Sequence, residues 1–268
     1  TENPSFLAIH PNGRYLYSVS ELSGDGGETA GAVSAFAIDK RTGKLTLINK
    51  VSAGGEGPCH LNVDQTGRML VVANYTSGNL AAFPLHDDGS LGEASSLIQH
   101  RGSSVNARRQ QGPHAHSVNF SLDNRFLVAV DLGLDKLMVY RADATKATIE
   151  SNDPPFTKVK PGSGPRHFTF HPSGRYAYVI NEISSAVTAF RYEAERGALN
   201  EVQTISTLPE GFEGRNSTAE VRIHPSGKFL YGSNRGHDSI AVYTVDAATG
   251  MLRAVEHVST GGKRPRNF

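Results

Sequence analysis

The chain has 268 residues, 38% of them hydrophobic, and its 27 basic and 26 acidic side chains leave a net charge of +1. This balance argues against nucleic acid and anionic membranes as partners, and no stretch approaches the roughly 18 consecutive apolar residues that a spanning helix needs. A single cysteine, Cys59, excludes intrachain disulfides and favours a reducing compartment, so we expect a cytoplasmic protein.

One pattern of two short strands joined by a tight turn recurs five times along the chain. The turn reads His-Pro-Asn-Gly in the first copy and His-Pro-Ser-Gly in the fourth and fifth. In the third copy Asn124 replaces the glycine, and asparagine is the best non-glycine residue for a left-handed turn position. The copies, 50 to 57 residues apart, are Ser5–Glu21, Cys59–Tyr75, His116–Leu132, Arg166–Glu182 and Ala219–Arg235.

Two further strands follow each pair. We predict third strands at Val33–Ile38, Leu80–Leu85, Leu137–Tyr140, Val187–Tyr192 and Ile240–Val245. Fourth strands are predicted at Leu45–Val51, Leu91–Ile98, Leu199–Ile205 and Leu252–Val258, with a weaker one around Ile149. Four antiparallel strands in a period near fifty, without a helical pattern, predict an all-β fold, a β-propeller with one blade per repeat.

A single propeller domain is therefore expected over residues 1–268, with repeats at about 3–51, 57–100, 112–151, 164–206 and 218–259. Residues 264–268 copy the start of the fourth repeat and read as the beginning of a sixth. We expect the chain to be part of a longer ring, and a natural five-bladed ring with a short tail is the alternative.

Four connections lie outside this pattern. The glycine-rich, acidic segment Leu22–Gly31 favours a mobile loop over a phosphate cradle, because no helix start follows it. The polar segment Arg101–Gln111 is either a loop over the functional edge or a solvated connector. Asn152–Phe156 reads as a stiff extended connection, and Leu208–Asn216 as a long approach loop.

The turn ends of the hairpins repeat nearly the same residues, whereas the opposite ends do not. His10, His171 and His224 occupy equivalent turns, which favours a structural role for all three. At the other ends, antiparallel pairing brings the start of the first strand and the end of the second to one edge. That edge carries the chemically different residues His116, Arg166, Glu182 and Arg235, and this variety favours a function for each.

Other polar residues at the same edge allow two interpretations, a structural role or a role in the functional site. Asn74, Asn181 and Asn234 are explained by capping of strand-end backbone, although the last two are also candidates for substrate binding. His60 and His167 are candidates on equal terms with a structural role. His60, His114, His116 and His167 could also form a metal cluster, but their spacing is not that of metal ligands, so we expect no metal.

The segments Gly164-Pro165-Arg166-His167, Phe170-His171-Pro172 and Val179-Ile180-Asn181-Glu182 resemble the bacterial lactonase family of seven-bladed propellers. Further matches are Gly112–Asn124, Ala219–Arg235 and Arg264–Phe268. That family includes propeller-type 6-phosphogluconolactonases and is similar to the fungal carboxy-cis,cis-muconate cyclases. The resemblance implies seven blades and a catalytic set of His116, Arg166, Glu182 and Arg235.

The resemblance also implies hydrolysis of a phosphorylated or carboxylated sugar lactone without a cofactor. Glu182 or His116 would be the general base, and Arg166 and Arg235 would bind anionic oxygens. The expected substrate-binding residues are His60, His167, Asn181, Asn234 and Arg266. A cyclase or isomerase acting on a muconate-like substrate and a non-catalytic binding propeller are the alternatives.

Overall fold

The structure, a computed structural model, describes residues 1–23 and 31–268. Strands and turns account for the regular structure of these residues, and no membrane-spanning helix is found among them. Most of the loop predicted at Leu22–Gly31 lies outside the described residues. Chain contacts define two compact units. The first contains residues 1–103, 111–129 and 140–151, and the second contains residues 104–110, 130–139 and 152–268.

The first unit contains two complete antiparallel sheets. The first sheet consists of β1 (Leu7–Ile9), β2 (Tyr15–Ser20), β3 (Ala32–Ile38) and β4 (Leu45–Ser52) in that order. The second consists of β5 (Pro58–Val63), β6 (Met69–Asn74), β7 (Asn79–Pro84) and β8 (Ser96–Gln99).

A third sheet has residues in both units and again places its strands in chain order. It consists of β9 (Ala115–Phe120), β10 (Phe126–Asp131), β11 (Lys136–Asp143) and β12 (Thr148–Lys158).

The second unit contains the last two sheets. The fourth sheet consists of β13 (Pro165–Phe170), β14 (Tyr176–Asn181), β15 (Ala186–Glu193) and β16 (Ala198–Ser206). The fifth consists of β17 (Ser217–Ile223), β18 (Phe229–Arg235), β19 (Ser239–Val245) and β20 (Leu252–Ser259). The prediction of four antiparallel strands in each repeat is confirmed.

One predicted strand and one predicted connection were wrong. The predicted strand Leu91–Ile98 is reduced to β8, because the backbone N–H and carbonyl of Leu91 bond to the side-chain amide of Asn49 instead, at 3.1 and 2.7 Å. The predicted connection Asn152–Phe156 lies inside β12. Since β12 is the last strand of its sheet, the missing N–H groups of Pro154 and Pro155 are tolerated there.

The five turns adopt the left-handed backbone that their residues predict. The φ angles of Gly13, Gly67, Gly174 and Gly227 lie between 67° and 71°, and that of Asn124 is 64°. Asn124 is therefore the direct substitute for glycine that the sequence indicates. Its side chain adds a bond, donating to Asp64 Oδ2 at 2.7 Å.

The turn histidines bond to the turn of the following sheet. His10 Nε2 lies 2.9 Å from the carbonyl oxygen of Gly67 in the first unit, and His171 Nε2 lies 2.9 Å from that of Gly227 in the second. His224 contacts Ser226 in its own turn. The structural role predicted for these rings agrees with their contacts.

Apolar side chains pack between neighbouring sheets of each unit rather than in one centre. Tyr17, Leu61 and Phe83 belong to the core of the first unit, and Tyr178 and Tyr243 to that of the second. Buried tyrosine hydroxyls fix the pairs of sheets: Tyr17 donates to the carbonyl of Gly89 at 3.1 Å, and Tyr178 donates to that of Gly250 at 2.9 Å. These hydrogen bonds link neighbouring sheets within each unit.

Candidate active site

The start of β13 is irregular, and the irregularity lies at a predicted site residue. Pro165 pairs with Asn181 and His167 with Ile180, so Arg166 is the extra residue of a β-bulge. Equivalent register shifts occur in β5 at Cys59 and in β17 between Thr218 and Val221. Bulges redirect side chains and are frequent beside active sites. The alternating pattern of apolar residues in these strands does not predict them.

Glu182 directly follows β14, and three guanidinium groups surround its carboxylate. Arg109 Nη2 donates to Oε1 at 2.6 Å, and Arg235 Nη2 donates to Oε2 at 2.8 Å. Arg166 Nε forms an ion pair with Oε2 at 3.0 Å. Three of the four predicted catalytic residues, Arg166, Glu182 and Arg235, are thus brought together.

Backbone carbonyls of β17 hold the two deeper arginines. Arg166 Nη1 donates to the carbonyl of Ala219 at 2.8 Å, and Arg235 Nη2 donates to that of Thr218 at 2.7 Å. The side chain of Arg166 is 1% exposed and that of Arg235 12%. These contacts fix both guanidinium groups before any ligand arrives.

Arg109 was missed at the sequence level. It belongs to the polar segment Arg101–Gln111, for which the sequence left open a solvated connector or a loop over the functional edge. Its side chain is 42% exposed, whereas that of its partner Glu182 is 8% exposed. The only signal in the sequence is a pair of adjacent arginines, Arg108 and Arg109, in a connector.

The environment of Glu182 keeps this carboxyl ionised. Burial by itself raises its pKa, but the nearby charges of Arg166, Arg235 and Arg109, together with the hydrogen bond from Arg109, outweigh that effect. The pKa therefore lies below its ordinary value of 4.5. A carboxylate stabilised in this way is a weak proton acceptor and a strong electrostatic partner.

A second buried pair, His167 with Glu220, lies beside Arg166. His167 Nδ1 is 3.2 Å from Glu220 Oε1, and both side chains are 3% exposed. Burial lowers the pKa of His167, and this effect exceeds the opposing influence of Glu220. The imidazole is therefore neutral near pH 7. Glu220 was not among the predicted site residues.

The chain-terminal residues lie near the same pair. With its amide nitrogen turned toward acceptors, Asn267 donates to Glu220 Oε2 at 3.1 Å. Arg266 is exposed. Its predicted role in substrate binding stays a prediction.

The asparagines of this edge make structural contacts. Asn181 Nδ2 donates to Thr188 Oγ1 at 3.0 Å, and Asn234 Nδ2 donates to the carbonyl of Thr207 at 2.7 Å. In the first unit Asn74 Nδ2 donates to the carbonyl of Ala53 at 3.0 Å. Asn74 and Asn234 bond to backbone and agree with the capping interpretation, whereas Asn181 bonds to a side-chain hydroxyl. Substrate binding by Asn181 and Asn234 stays a prediction.

The predicted residues of the first unit are buried as well. His60 Nδ1 accepts the backbone N–H of Val118 at 3.3 Å, and its ring stacks on Phe6. His116 Nδ1 lies 3.6 Å from Cys59 Sγ, and the Tyr75 ring meets the His116 ring edge to face. Within residues 1–23 and 31–268, no group of three His, Cys, Asp or Glu side chains has metal-binding geometry.

Known proteins resemble the whole chain. A family model described as "Lactonase, 7-bladed beta-propeller" matches residues 1–268. The 6-phosphogluconolactonase of Bacillus subtilis is 40% identical over 266 residues, which cover 99% of this chain and 73% of that protein. The 6-phosphogluconolactonase of Formosa agariphila is also 40% identical, over 271 residues covering 99% of this chain and 74% of that protein.

A solved structure is also similar to this chain over its whole length. The periplasmic gluconolactonase of Pseudomonas aeruginosa is 37% identical with a TM-score of 0.93, and the alignment covers 100% of this chain and 75% of that chain. Together with the family match, this likeness confirms the predicted all-β propeller fold.

Proposed function

The chain belongs to the lactonase family of seven-bladed β-propellers, and we propose that it opens 6-phosphoglucono-1,5-lactone to 6-phosphogluconate. The observation that carries this proposal is the cluster of Arg109, Arg166 and Arg235 around Glu182. The names of the relatives favour hydrolysis over cyclisation of a muconate-like substrate and over a binding propeller without catalysis.

Opening the lactone requires stabilisation of negative charge. Water adds to the carbonyl carbon, the carbonyl oxygen becomes an oxyanion, and the ring C–O bond then breaks to leave a carboxylate and a hydroxyl group. Guanidinium groups that are already fixed stabilise such an oxyanion without reorganising during the reaction. Arg166 and Arg235 fit this role because protein carbonyls and Glu182 hold them in place.

The proton acceptor is the other requirement. Since three guanidinium groups lower the pKa of Glu182, its carboxylate is poorly suited to take a proton from water. We assign Glu182 the electrostatic role of orienting the arginines. The other candidate from the sequence is His116, since imidazole is the side chain that exchanges protons near neutral pH, and its role as general base stays a prediction.

The substrate is proposed to be phosphorylated because the cluster has more cations than anions. The unphosphorylated glucono-lactone is the second candidate, favoured by the name of the Pseudomonas aeruginosa neighbour. We place the protein in the cytoplasm, where 6-phosphogluconate enters the pentose phosphate pathway. The single cysteine of the chain, Cys59, is in keeping with a reducing compartment.

The test is the rate of 6-phosphoglucono-lactone loss above the spontaneous rate, coupled to 6-phosphogluconate dehydrogenase. We expect clear acceleration, and a loss of roughly 100-fold or more in kcat for Arg166→Ala. The exposed Arg191, on β15, is the matched control, and Arg191→Ala should keep the full rate. If the protein accelerates neither the phosphorylated nor the neutral lactone, the hydrolase proposal is wrong.

A further inference from the structure

The loop that carries Arg109 is closed by hydrogen bonds of its own backbone and side chains. The backbone N–H of Ser104 donates to the carbonyl of Gln110 at 3.0 Å, and that of Gln110 donates to the carbonyl of Asn106 at 2.8 Å. Asn106 Oδ1 accepts the N–H of Arg109 at 3.2 Å. The buried Gln110 donates to the carbonyl of Leu132 at 2.9 Å. The backbone under Arg109 is therefore well defined.

One buried carboxylate attaches this loop to the segment that leads into Arg166. Asp135 Oδ2 accepts the hydroxyl of Ser104 at 2.6 Å and the N–H of Gly162 at 2.7 Å. Asp135 Oδ1 accepts the N–H of Gly164 at 2.7 Å. Because Asp135 is shared, the positions of Arg109 and Arg166 are set by the same group.

The three guanidinium groups around Glu182 differ in their access to solvent. Arg166 is 1% and Arg235 12% exposed, and both donate to backbone carbonyls. Arg109 is 42% exposed while it contacts the same carboxylate. Arg109 therefore has the most solvent-accessible side chain of the three.

The charge of this cluster is strongly positive. Three guanidinium groups face the single carboxylate of Glu182, which leaves a surplus of two positive charges. The adjacent Glu220 is paired with Arg222 at 3.4 Å, so these two charges cancel. His167 adds no charge, because burial keeps its imidazole neutral. This positive surplus favours an anionic ligand over a neutral one.

We infer that Arg109 recognises the phosphate group of the substrate and makes the site selective for phosphorylated over neutral sugar lactones. The inference rests on the proposed function and names the residue that determines its specificity. A guanidinium fork binds phosphate oxygens in a bidentate manner, and partial exposure lets it adjust to a ligand. Arg166 and Arg235 keep the role of stabilising the oxyanion that forms from the lactone carbonyl.

The competing role for Arg109 is to position Glu182 alone. The two roles differ in their dependence on the substrate. A phosphate contact affects only phosphorylated ligands, whereas loss of a positioning residue lowers kcat for every lactone. The experiment therefore compares Arg109→Gln with Arg109→Lys and with the exposed neighbour Arg108→Gln, which removes the same charge from the same loop.

Two readouts are measured for each variant. The first is kcat and KM for 6-phosphoglucono-lactone and for glucono-lactone, and the second is the Kd of 6-phosphogluconate by calorimetry. For Arg109→Gln we expect KM for the phosphorylated lactone and the Kd of 6-phosphogluconate to rise roughly 10- to 100-fold. The kinetic constants for the neutral lactone should change less than about threefold. Arg109→Lys should be intermediate, and Arg108→Gln should behave as wild type.

Equal losses on both lactones, or no loss on either, would overturn the inference, as would failure of the wild-type protein to bind 6-phosphogluconate. The proposed function is judged separately. A protein that binds 6-phosphogluconate through Arg109 but hydrolyses no lactone supports the phosphate contact and refutes the hydrolase proposal. Unchanged thermal unfolding of each variant ensures that folded proteins are compared.

Discussion

Replacing Glu182 with glutamine tests whether its charge holds the arginine cluster together. The substitution keeps the volume and removes the counter-ion of two guanidinium groups that are 1% and 12% exposed. Removing one partner of a buried ion pair costs about 3–5 kcal/mol. The exposed contact with Arg109 adds about 0–1 kcal/mol. Because glutamine can still accept a hydrogen bond, we expect a loss near the lower limit, about 3 kcal/mol.

The assay is urea unfolding, supported by calorimetry. For a chain of this size, about 3 kcal/mol corresponds to a fall of roughly 6–12 °C in Tm. The matched control is Glu193→Gln. Glu193 lies 3.8 Å from Arg196, and the side chains of this pair are 42% and 66% exposed. Loss of that exposed pair should change the free energy of unfolding by less than about 0.5 kcal/mol.

A free energy of unfolding for Glu182→Gln within about 1 kcal/mol of wild type would refute this reasoning. In that case the backbone carbonyls of β17 alone would hold Arg166 and Arg235. The electrostatic role proposed for Glu182 would then have no physical basis. Adding Arg166→Met to Glu182→Gln should restore part of the lost stability, since an uncharged side chain then replaces a buried guanidinium that has lost its counter-ion.

Three further outcomes are expected. The folded-state pKa of Glu182 is lowered, so the ionised carboxylate contributes stability above pH 4.5, and this stability is lost as the pH falls through the lowered pKa. Urea midpoints measured from pH 5 downward should therefore fall more steeply for wild type than for Glu182→Gln. His171→Ala removes the bond to Gly227 and should lower the free energy of unfolding by about 1 kcal/mol with unchanged kcat. His224→Ala should lower it less, because His224 contacts its own turn. Equal losses would contradict the link between sheets. Asn124→Ala should be about 1 kcal/mol less stable than Asn124→Gly in urea, because φ is 64° there, and the reverse order would contradict the left-handed turn.

Strands and turns could be predicted because each repeat carries the same local signals. Alternating apolar residues and a left-handed turn residue recur five times, so a weak copy such as the one with Asn124 is recognised from the others. The β12 prediction failed where Asn152–Phe156 was interpreted from its prolines alone. Proline argues against a central strand, but it does not argue against the last strand of a sheet.

The candidate site was predictable only where it lies on the repeats. Antiparallel pairing brings the strand ends at Arg166 and Glu182 together, and Arg235 lies at the equivalent strand end of the next repeat. Both arginines contact Glu182. Arg109 lies in a connector, and the path of a connector is not encoded in strand periodicity. Glu220 was passed over because its environment depends on a bulge that shifts the register of β17.

The bond from a turn histidine to the turn of the following sheet has a consequence for how such a chain can change its number of blades. His10 contacts the carbonyl of Gly67, and His171 contacts that of Gly227, so the acceptor is backbone and does not depend on which residue supplies it. Tyr17 and Tyr178 likewise bond to backbone carbonyls of the next sheet. A repeat that was duplicated or exchanged would therefore meet a backbone acceptor in its neighbour, because the donor requires only the same turn. These bonds would then not oppose a change in the number of repeats, whatever residues occupy the strand ends.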